Sequence, residues 1–370
     1  MKRIYKEIKT QEQLEQLLAQ TEQRQIHHMA FQGLAFPEEA ARLQFQSCLF
    51  LACQLPPALE KRLTDSLVFP NLGELFRFQS TLYTADSLYE GYQMGHPETL
   101  SATYDGRVYR HYLSKGKFAT DIREALSRTL HDYSISDALH EFLSLYDERD
   151  IVGVMGGHGI NRNDEHFALT ARVSKRLTEA GKLMVSGGGP GAMEATHLGA
   201  WMAGRSDEDL QEALNILRQA PNFSHPLWLD TALQVREQFP QEQYESVGIP
   251  TWLYGHEPAT PLATRIAKYF DNSIREDGIL TIAMGGIIYT PGSAGTLQEI
   301  FQDAVQNHYL SFGYASPMAF LNRKYWTEEM PIYPLLENLS ACGKYKNLLL
   351  SLSDDEEEVA QHILAFHSAK

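Results

Sequence analysis

The sequence is poor in cysteine, and this shortage excludes two kinds of stabilising site. Only three cysteines occur, Cys48, Cys53 and Cys342, and they form neither a CxxC pair nor a spacing typical of metal ligands. We therefore expect neither a disulfide framework nor a structural zinc site. His and acidic residues also lack convincing ligand spacing, so no bound metal is expected, and no cofactor is expected either. This cysteine usage favours a reducing, cytoplasmic compartment.

Basic residues are also scarce. Lys and Arg number 32 against 47 Asp and Glu, which gives a formal net charge of -15 at pH 7. Because such a surface repels a phosphate backbone and no basic run is present, the charge argues against binding to nucleic acid polymers. A small phosphate ester is still a compatible ligand, since helix N-termini and one or two arginines can create a local positive field in a cleft.

Long apolar stretches are missing as well. A helix that spans a bilayer needs about 18 or more consecutive apolar residues, and the sequence contains no such stretch. Residues 1–20 have a charged start but lack the uninterrupted apolar segment of a secretory signal. We expect neither membrane insertion nor secretion.

What the chain does contain is enough apolar material for a large core. It has 370 residues, 43% of them hydrophobic, with 18 Tyr and 17 Phe. This length exceeds the usual size of one compact domain, so two parts are expected. Residues 1–148 are interpreted as an accessory region of mixed strands and helices. Its "FQ" pairs have no fixed period, so no repeat is expected there.

Residues 149–370 alternate between strand-like and helix-like segments. Strands are predicted at 150–157, 182–189, 248–255, 285–291 and 317–323, and helices at 165–181, 191–204, 261–283, from 297 onwards and at 353–367. A polar helical insert at about 206–240 is expected on the surface. The alternation predicts an α/β fold with a doubly wound, Rossmann-like parallel sheet, and ligands on such sheets bind at the carboxyl ends of the strands.

Two glycine-rich turns fall at the ends of the first two predicted strands of this region. The first is "MGGHG" at 155–159, and the second is "SGGGPGAME" at 186–194. Glycines let the backbone approach an anion, and a following helix supplies free N–H donors. The second turn also fits GxGxxA, but its place after the second strand disfavours a dinucleotide fold. A tight turn without a ligand is the alternative. The phosphate-binding candidates are Gly157, Gly187, Gly188, Gly189, Gly191, Met193 and Glu194.

The third turn, "TPGSAGTLQE" at 290–299, allows two compatible interpretations. Thr296 and Glu299 have the spacing of a capping box at the start of a helix. The preceding "PGSAG" leaves room for a phosphate at the helix N-terminus, with Pro291, Gly292, Ser293, Gly295 and Thr296 as candidates. Pro291 stands where a serine-hydrolase elbow requires Gly, which excludes that motif. Farther on, Ser353 is expected to cap the closing helix.

Together, "VSGGGPGAMEATHLGA" and "IIYTPGSAGTLQEIF" resemble the LOG family of phosphoribohydrolases and its bacterial nucleotide 5'-monophosphate nucleosidase relatives. The similarity covers about residues 150–366. The family signature is PGGxGTxxE, so the resemblance implies that Glu299 is catalytic and that Ser293 replaces the second Gly. For the family's catalytic Arg, which precedes the Pro by about 15 residues, Arg275 at 16 residues before Pro291 is chosen over Arg265 at 26. Arg275 is followed by Glu276 where the family has Lys.

The resemblance implies hydrolysis of the N-glycosidic bond of a nucleoside 5'-monophosphate to the free base and ribose 5-phosphate. It also implies a homodimer or higher homo-oligomer. One alternative is a non-catalytic nucleotide sensor that uses the same turns. A nicotinamide-dependent oxidoreductase is a further alternative, disfavoured by the position of the GxGxxA match.

Overall fold

The computed structural model describes residues 5–20, 25–71, 75 and 78–368, without the side chains of residues 276, 367 and 368. The chain forms two compact units. The first unit comprises residues 1–82 and 107–141, and the second comprises residues 83–106 and 142–370. The sequence placed the division at 148/149, so residues 83–106 belong to a different unit from the one expected for them.

The first unit begins with short strands and helices: β1 (Lys6–Ile8), α1 (Gln11–Gln20), β2 (Gln25–His27), β3 (Met29–Gln32), β4 (Gln44–Gln46), β5 (Leu49–Leu51), α2 (Pro57–Glu60) and β6 (Leu67–Phe69). They form one sheet of order β1-β3-β5-β6 and a second of order β2-β4, with every pair parallel. The next helices along the chain are α3 (Ala85–Leu88), α4 (Tyr104–Lys115) and α5 (Ile122–Leu143). Helix α3 belongs to the second unit, and the chain passes from one unit to the other within α4 and again within α5.

Two strand pairs of the first unit share a spacing that the "FQ" pairs did not indicate. Gln25 pairs with Gln44 and Ala30 pairs with Leu49, which places equivalent positions 19 residues apart. Left-handed backbone conformations recur at the same spacing, at His28 and Ser47 and at Gly33 and Ala52. The sequence does not show this spacing clearly. What recurs is the backbone conformation and the apolar character of the inward side chains, and neither requires identical residues.

The second unit continues with β7 (Ile151–Met155), α6 (Glu165–Glu179), β8 (Leu183–Ser186), α7 (Ala192–Trp201), α8 (Asp207–Leu217), α9 (Trp228–Gln238), β9 (Ser246–Gly248), β10 (Arg265–Ile266), α10 (Asn272–Ile282), β11 (Ile287–Tyr289), α11 (Ala294–Tyr309), β12 (Pro317–Leu321), α12 (Ile332–Ala341), β13 (Leu349–Ser353) and α13 (Glu356–Ser368). Its strands form a parallel sheet of order β10-β9-β8-β7-β11-β12-β13. The predicted α/β class with a doubly wound parallel sheet is confirmed.

Helices cover both faces of this sheet. Every residue of β7, β8 and β12 is buried, as expected for parallel strands that are covered on two sides. Val152 and Val154 face a core that contains apolar residues of α6 and α13. Gly153 faces the other way, where a Cβ atom would lie 2.9 Å from Ala283 at the end of α10. The direction of winding reverses between β7 and β11, which are neighbours in the sheet.

Two predicted elements of the second unit are wrong. Residues 248–255 form the end of β9 and a 3-10 turn at Trp252–Tyr254 rather than one strand. Residues 261–283 are helical only from Asn272, because Asp271 caps that helix by accepting a hydrogen bond from the Ser273 N–H. The preceding residues form turns, bends and the short strand β10. Their apolar side chains are buried within the second unit, but they do not form one face of a helix.

The insert and the closing helix also differ from expectation. Residues 206–240 form two helices, α8 and α9, whose apolar faces contribute Leu214 and Val235 to a buried cluster with Trp201, so the insert belongs to the core. Ser353 ends β13 and does not cap α13. That helix is capped by Asp355, whose Oδ1 accepts from the N–H groups of Glu357 and Glu358.

Residues 83–106 join the second unit through contacts that no local pattern reveals. The backbone of Tyr83 pairs with that of Ile266. Asp105 forms a buried ion pair with Lys268 at 2.6 Å and accepts a hydrogen bond from the indole N–H of Trp252 at 2.8 Å. A buried charge needs such a partner, so these contacts fix the segment against the sheet. Among the described residues, no helix combines the length and apolar character needed to cross a membrane.

Candidate functional site

A cavity of about 300 Å³ opens at the carboxyl ends of β7, β8 and β11. This is the point where the winding of the sheet reverses, the usual ligand site of a doubly wound fold. The predicted site residues that line it are Gly157, Gly187, Met193, Arg275, Ser293, Gly295, Thr296 and Glu299. The fold therefore brings together residues from all three glycine-rich turns and from α10. Their roles in binding and catalysis stay predictions.

Arg275 reaches the cavity from the first turn of α10. Its Nη1 lies 3.4 Å from Oδ1 of Asn272, and its guanidinium lies 6.0 Å from the centre of the Tyr254 ring. Within the described part of the chain, no carboxylate forms an ion pair with Arg275. A cation placed this way is available to an anionic ligand, because no carboxylate among the described side chains neutralises it.

Glu299 lies near the start of α11 and is half-buried. The predicted capping box is absent because α11 already begins at Ala294, with Ser293 as its N-cap residue and no side-chain cap. Thr296 is therefore buried inside the first turn, where its hydroxyl packs against Gly292. The buried face of the helix runs through Ile300 and Ala304, whereas Val305 is 41% exposed.

The N-terminus of α11 borders the cavity directly. Ser293, Gly295 and Thr296 line it, and a Cβ atom at Gly295 would meet no other atom within 4 Å. The first N–H groups of a helix have no partner within that helix and carry a partial positive charge. This end of the cavity can therefore accommodate an anionic group such as a phosphate.

Several predicted phosphate ligands shape the turns without lining the main cavity. Gly188 has φ +67°, and a Cβ atom on this residue would lie 2.9 Å from the Cα atom of Gly248. Gly191 has φ +70°, and a Cβ atom there would lie 2.4 Å from the carbonyl oxygen of Gly157. Glycine is required at both positions for close backbone packing. Gly189 lines a small recess that adjoins the cavity.

Glu194, a predicted ligand residue, is instead held inside the protein. It is fully buried, and its two carboxylate oxygens accept hydrogen bonds from Nε and Nη2 of Arg162 at 2.8 and 2.5 Å. Arg162 also donates to the Thr231 hydroxyl and to the carbonyl of Trp228. Because its charge is paired and it does not line the cavity, Glu194 acts in packing the helices behind the turn.

Pro291 and Gly292 likewise position the third turn. The carbonyl of Pro291 accepts a hydrogen bond from the N–H of Gly157, which joins the first and third turns. The carbonyl of Gly292 accepts one from the hydroxyl of Tyr325. Tyr325 begins a π-helical turn, Tyr325–Glu329. Such turns are frequent at functional sites, but no sequence pattern pointed to this tyrosine.

Sequence reasoning missed other residues of the cavity wall. Tyr254, Glu257, Gln298 and Gln302 line it, and so does His158 of the first glycine-rich turn. Glu257 is the most informative of them because it brings a second carboxylate into the cavity. Glu257 lies in a loop and belongs to no recognisable motif, so no sequence pattern indicated that it lines the cavity.

A buried acid lies behind the site on α11. The hydroxyl of Tyr289 donates to Oδ2 of Asp303 at 2.7 Å, and both side chains are buried. Burial raises the pKa of Asp303 to about 7, although the hydrogen bond from Tyr289 acts in the opposite direction. This pair ties the end of β11 to the helix that carries Glu299.

A buried histidine supports the second turn. His197 on α7 has its Nε2 2.8 Å from Oγ of Ser186 and its Nδ1 2.9 Å from Oγ of Ser246. Ser186 in turn accepts a hydrogen bond from the N–H of Gly188. Burial lowers the pKa of His197 to about 3, so the imidazole is neutral in the folded protein.

We expect His197 to make the folded protein sensitive to acid. Below its unfolded pKa of 6.5, the histidine binds a proton in the unfolded state but stays neutral in the fold, down to a pH of about 3. Stability is therefore lost as the pH falls, by about 1.4 kcal/mol for each pH unit. Urea unfolding at pH 7, 6 and 5 measures this, and His197→Gln should have a shallower slope. Equal slopes for the two proteins would contradict the expectation.

Within the described residues, no group of three His, Cys, Asp or Glu side chains is arranged to hold a metal ion.

Comparisons with known proteins give only structural likenesses. No protein-family model matches the chain, and no curated protein matches it. A solved structure of the Moco carrier protein of Chlamydomonas rheinhardtii is similar at 15% identity, with a TM-score of 0.36, and covers 59% of this chain and 97% of its own. The molybdenum cofactor binding protein of the phototrophic bacterium Rippkaea orientalis is similar at 15% identity and a TM-score of 0.32, over 58% of this chain and 96% of its own. At these values neither likeness bears on the activity of this chain.

Proposed function

We propose that this protein is a LOG-type phosphoribohydrolase, which hydrolyses a nucleoside 5'-monophosphate to the free base and ribose 5-phosphate. The observation that carries the proposal is the convergence of Arg275, Glu299 and the N-terminus of α11 on one cavity. Arg275 is on α10, whereas Glu299 and the N–H groups belong to α11. Together they provide a carboxylate, a cation that pairs with no carboxylate of the described residues, and helix N–H donors, which is the set that the reaction needs.

The phosphate of the substrate would bind at the start of α11. Ser293, Gly295 and Thr296 border this end, and Ser293 adds a hydroxyl donor. Ser293 replaces a glycine of the LOG signature, but its φ of −114° is one that any residue adopts, so its Cβ atom introduces no backbone strain. Arg275 would complete the site as a charged donor to the phosphate or to the sugar.

Glu299 would act at the sugar. As the N-glycosidic bond breaks, its electron pair leaves with the base and positive charge develops on the ribose ring. A carboxylate beside the ring stabilises this charge and can accept the proton of the attacking water. The water oxygen then bonds to C1' and the departing base takes up a proton, which leaves ribose 5-phosphate and the neutral base.

The direct experiment is incubation of the purified protein with AMP, GMP, IMP, CMP and UMP. We expect release of the free base and an equal amount of ribose 5-phosphate from at least one of them, as measured by chromatography and a reducing-sugar assay. The corresponding nucleosides serve as controls, since without the phosphate they cannot use the N-terminus of α11. Absence of base release from all five nucleotides would reject the proposal, and tight binding without turnover would favour a nucleotide sensor.

A further inference from the structure

The proposed reaction gives no role to Met193, Tyr254 and Glu257, which also line the cavity. A small recess adjoins the cavity, with Gly189, Pro250 and Thr251 in its wall. The recess and the cavity share Gly187, Met193, Tyr254, Glu257 and Arg275, so the two spaces meet at these residues. A thioether and an aromatic ring form surfaces that suit a flat, apolar face, and Tyr254 is 39% exposed.

Glu257 adds a carboxylate where the two spaces meet. Its side chain is 17% exposed, and its nearest histidine neighbours are the Nε2 atoms of His158 at 3.9 Å and of His256 at 3.8 Å. Both distances exceed a hydrogen bond. Within the described part of the chain, its carboxylate accepts no hydrogen bond, although its own N–H is held by the carbonyl of Tyr254 at 2.8 Å. A largely buried carboxylate needs donors, so a ligand that supplies them gains affinity.

We propose that Glu257 determines base specificity and selects guanine; this inference rests on the proposed function. With the phosphate at the start of α11, the base extends toward Tyr254 and Met193. Its ring then packs on these side chains, and its outer edge faces Glu257. Enzymes that act on single bases commonly read this edge by hydrogen bonding.

The chemistry of a carboxylate makes the selection specific. An ionised carboxylate only accepts hydrogen bonds, and its two oxygens suit two adjacent donors. The outer edge of guanine offers such a pair, N1–H and N2–H. Hypoxanthine offers N1–H alone, and adenine places the unprotonated N1 beside its amino group. Uracil flanks its N3–H with two carbonyl oxygens. GMP is therefore the favoured substrate, IMP is intermediate, and AMP and UMP are disfavoured.

The test compares GMP, IMP and AMP with the wild-type protein, Glu257→Gln and the matched control Glu242→Gln, which makes the same change at an exposed position of the same unit. For each protein, kcat/KM is measured by base release and the dissociation constant by titration calorimetry. We expect wild-type kcat/KM for GMP to exceed that for AMP by about 10- to 100-fold, the range of hydrogen bonds to a charged group. Glu257→Gln should reduce this ratio at least about tenfold, and Glu242→Gln should preserve it.

The outcomes separate this inference from the proposed function. If all nucleotides are hydrolysed with similar kcat/KM, or if Glu257→Gln lowers GMP and AMP equally, hydrolysis stands and base selection by Glu257 is overturned. If no nucleotide is hydrolysed but GMP binds more tightly than AMP, and Glu257→Gln removes that difference, base selection stands and the proposed reaction fails. If GMP and AMP bind equally or not at all, base selection is overturned.

Discussion

Replacement of Glu299 by glutamine should lower the rate of base release by about 10²- to 10⁴-fold, the range measured for loss of one acid–base or electrostatic catalytic group. Glutamine has nearly the same shape but carries no charge, so it cannot stabilise the positive charge that develops on the ribose or accept the proton of water. The proposed phosphate site at Ser293, Gly295 and Thr296 is untouched by this change. Nucleotide binding should therefore persist while kcat falls.

The measurement is single-turnover base release, together with the dissociation constant of the same nucleotide by calorimetry. Glu242→Gln is again the control, because it removes a carboxylate from an exposed position outside the cavity. A variant at Glu299 with unchanged kcat would exclude this residue as the catalytic group. Equal loss of binding and turnover would instead indicate that Glu299 holds the ground-state substrate.

The overall architecture and the location of the site follow from local sequence patterns. A buried strand, a glycine-rich turn and a helix are encoded within about 30 consecutive residues, so the turns at Gly157, Gly187 and Gly292 could each be recognised separately. Parallel strands align their carboxyl ends, and this rule predicts that the turns meet. The rule could not give the strand order, on which the cavity between β7 and β11 depends.

Residues that depend on tertiary pairing could not be predicted. Glu257 and Tyr325 come from segments without a motif, and their positions are set by the loops and turns that surround them. Asp105 is more than 160 residues from Lys268, its partner in the buried ion pair. A single sequence contains no signal for such a pairing, which explains why residues 83–106 were expected in the wrong unit.

The start of α11 shows how packing can override a correct local pattern. The spacing of Thr296 and Glu299 fits a capping box, but the helix begins two residues before Thr296, at Ala294. Thr296 packs its hydroxyl against Gly292 and is buried. A capping pattern identifies the region in which a helix starts, and contacts with the neighbouring loop decide the residue.

The second large effect is expected from a substitution of Glu194, and it concerns the stability of the fold rather than catalysis. We expect Glu194→Gln to lower the free energy of unfolding by about 3–5 kcal/mol, because the fully buried guanidinium of Arg162 would lose its charged partner. The second unit contains Trp201, Trp228, Trp252 and Trp326, which are the four tryptophans of the chain. Urea unfolding followed by tryptophan fluorescence therefore reports on this unit.

A second substitution separates a structural role of Glu194 from a ligand-binding role. Arg162→Met in the Glu194→Gln background removes the orphaned charge, so the double variant should be more stable than Glu194→Gln alone. A purely structural role predicts that any folded variant still binds nucleotide at the main cavity, which Glu194 does not line. Unchanged stability with lost nucleotide binding would contradict this expectation and would restore the role in phosphate binding that the glycine-rich motif first suggested.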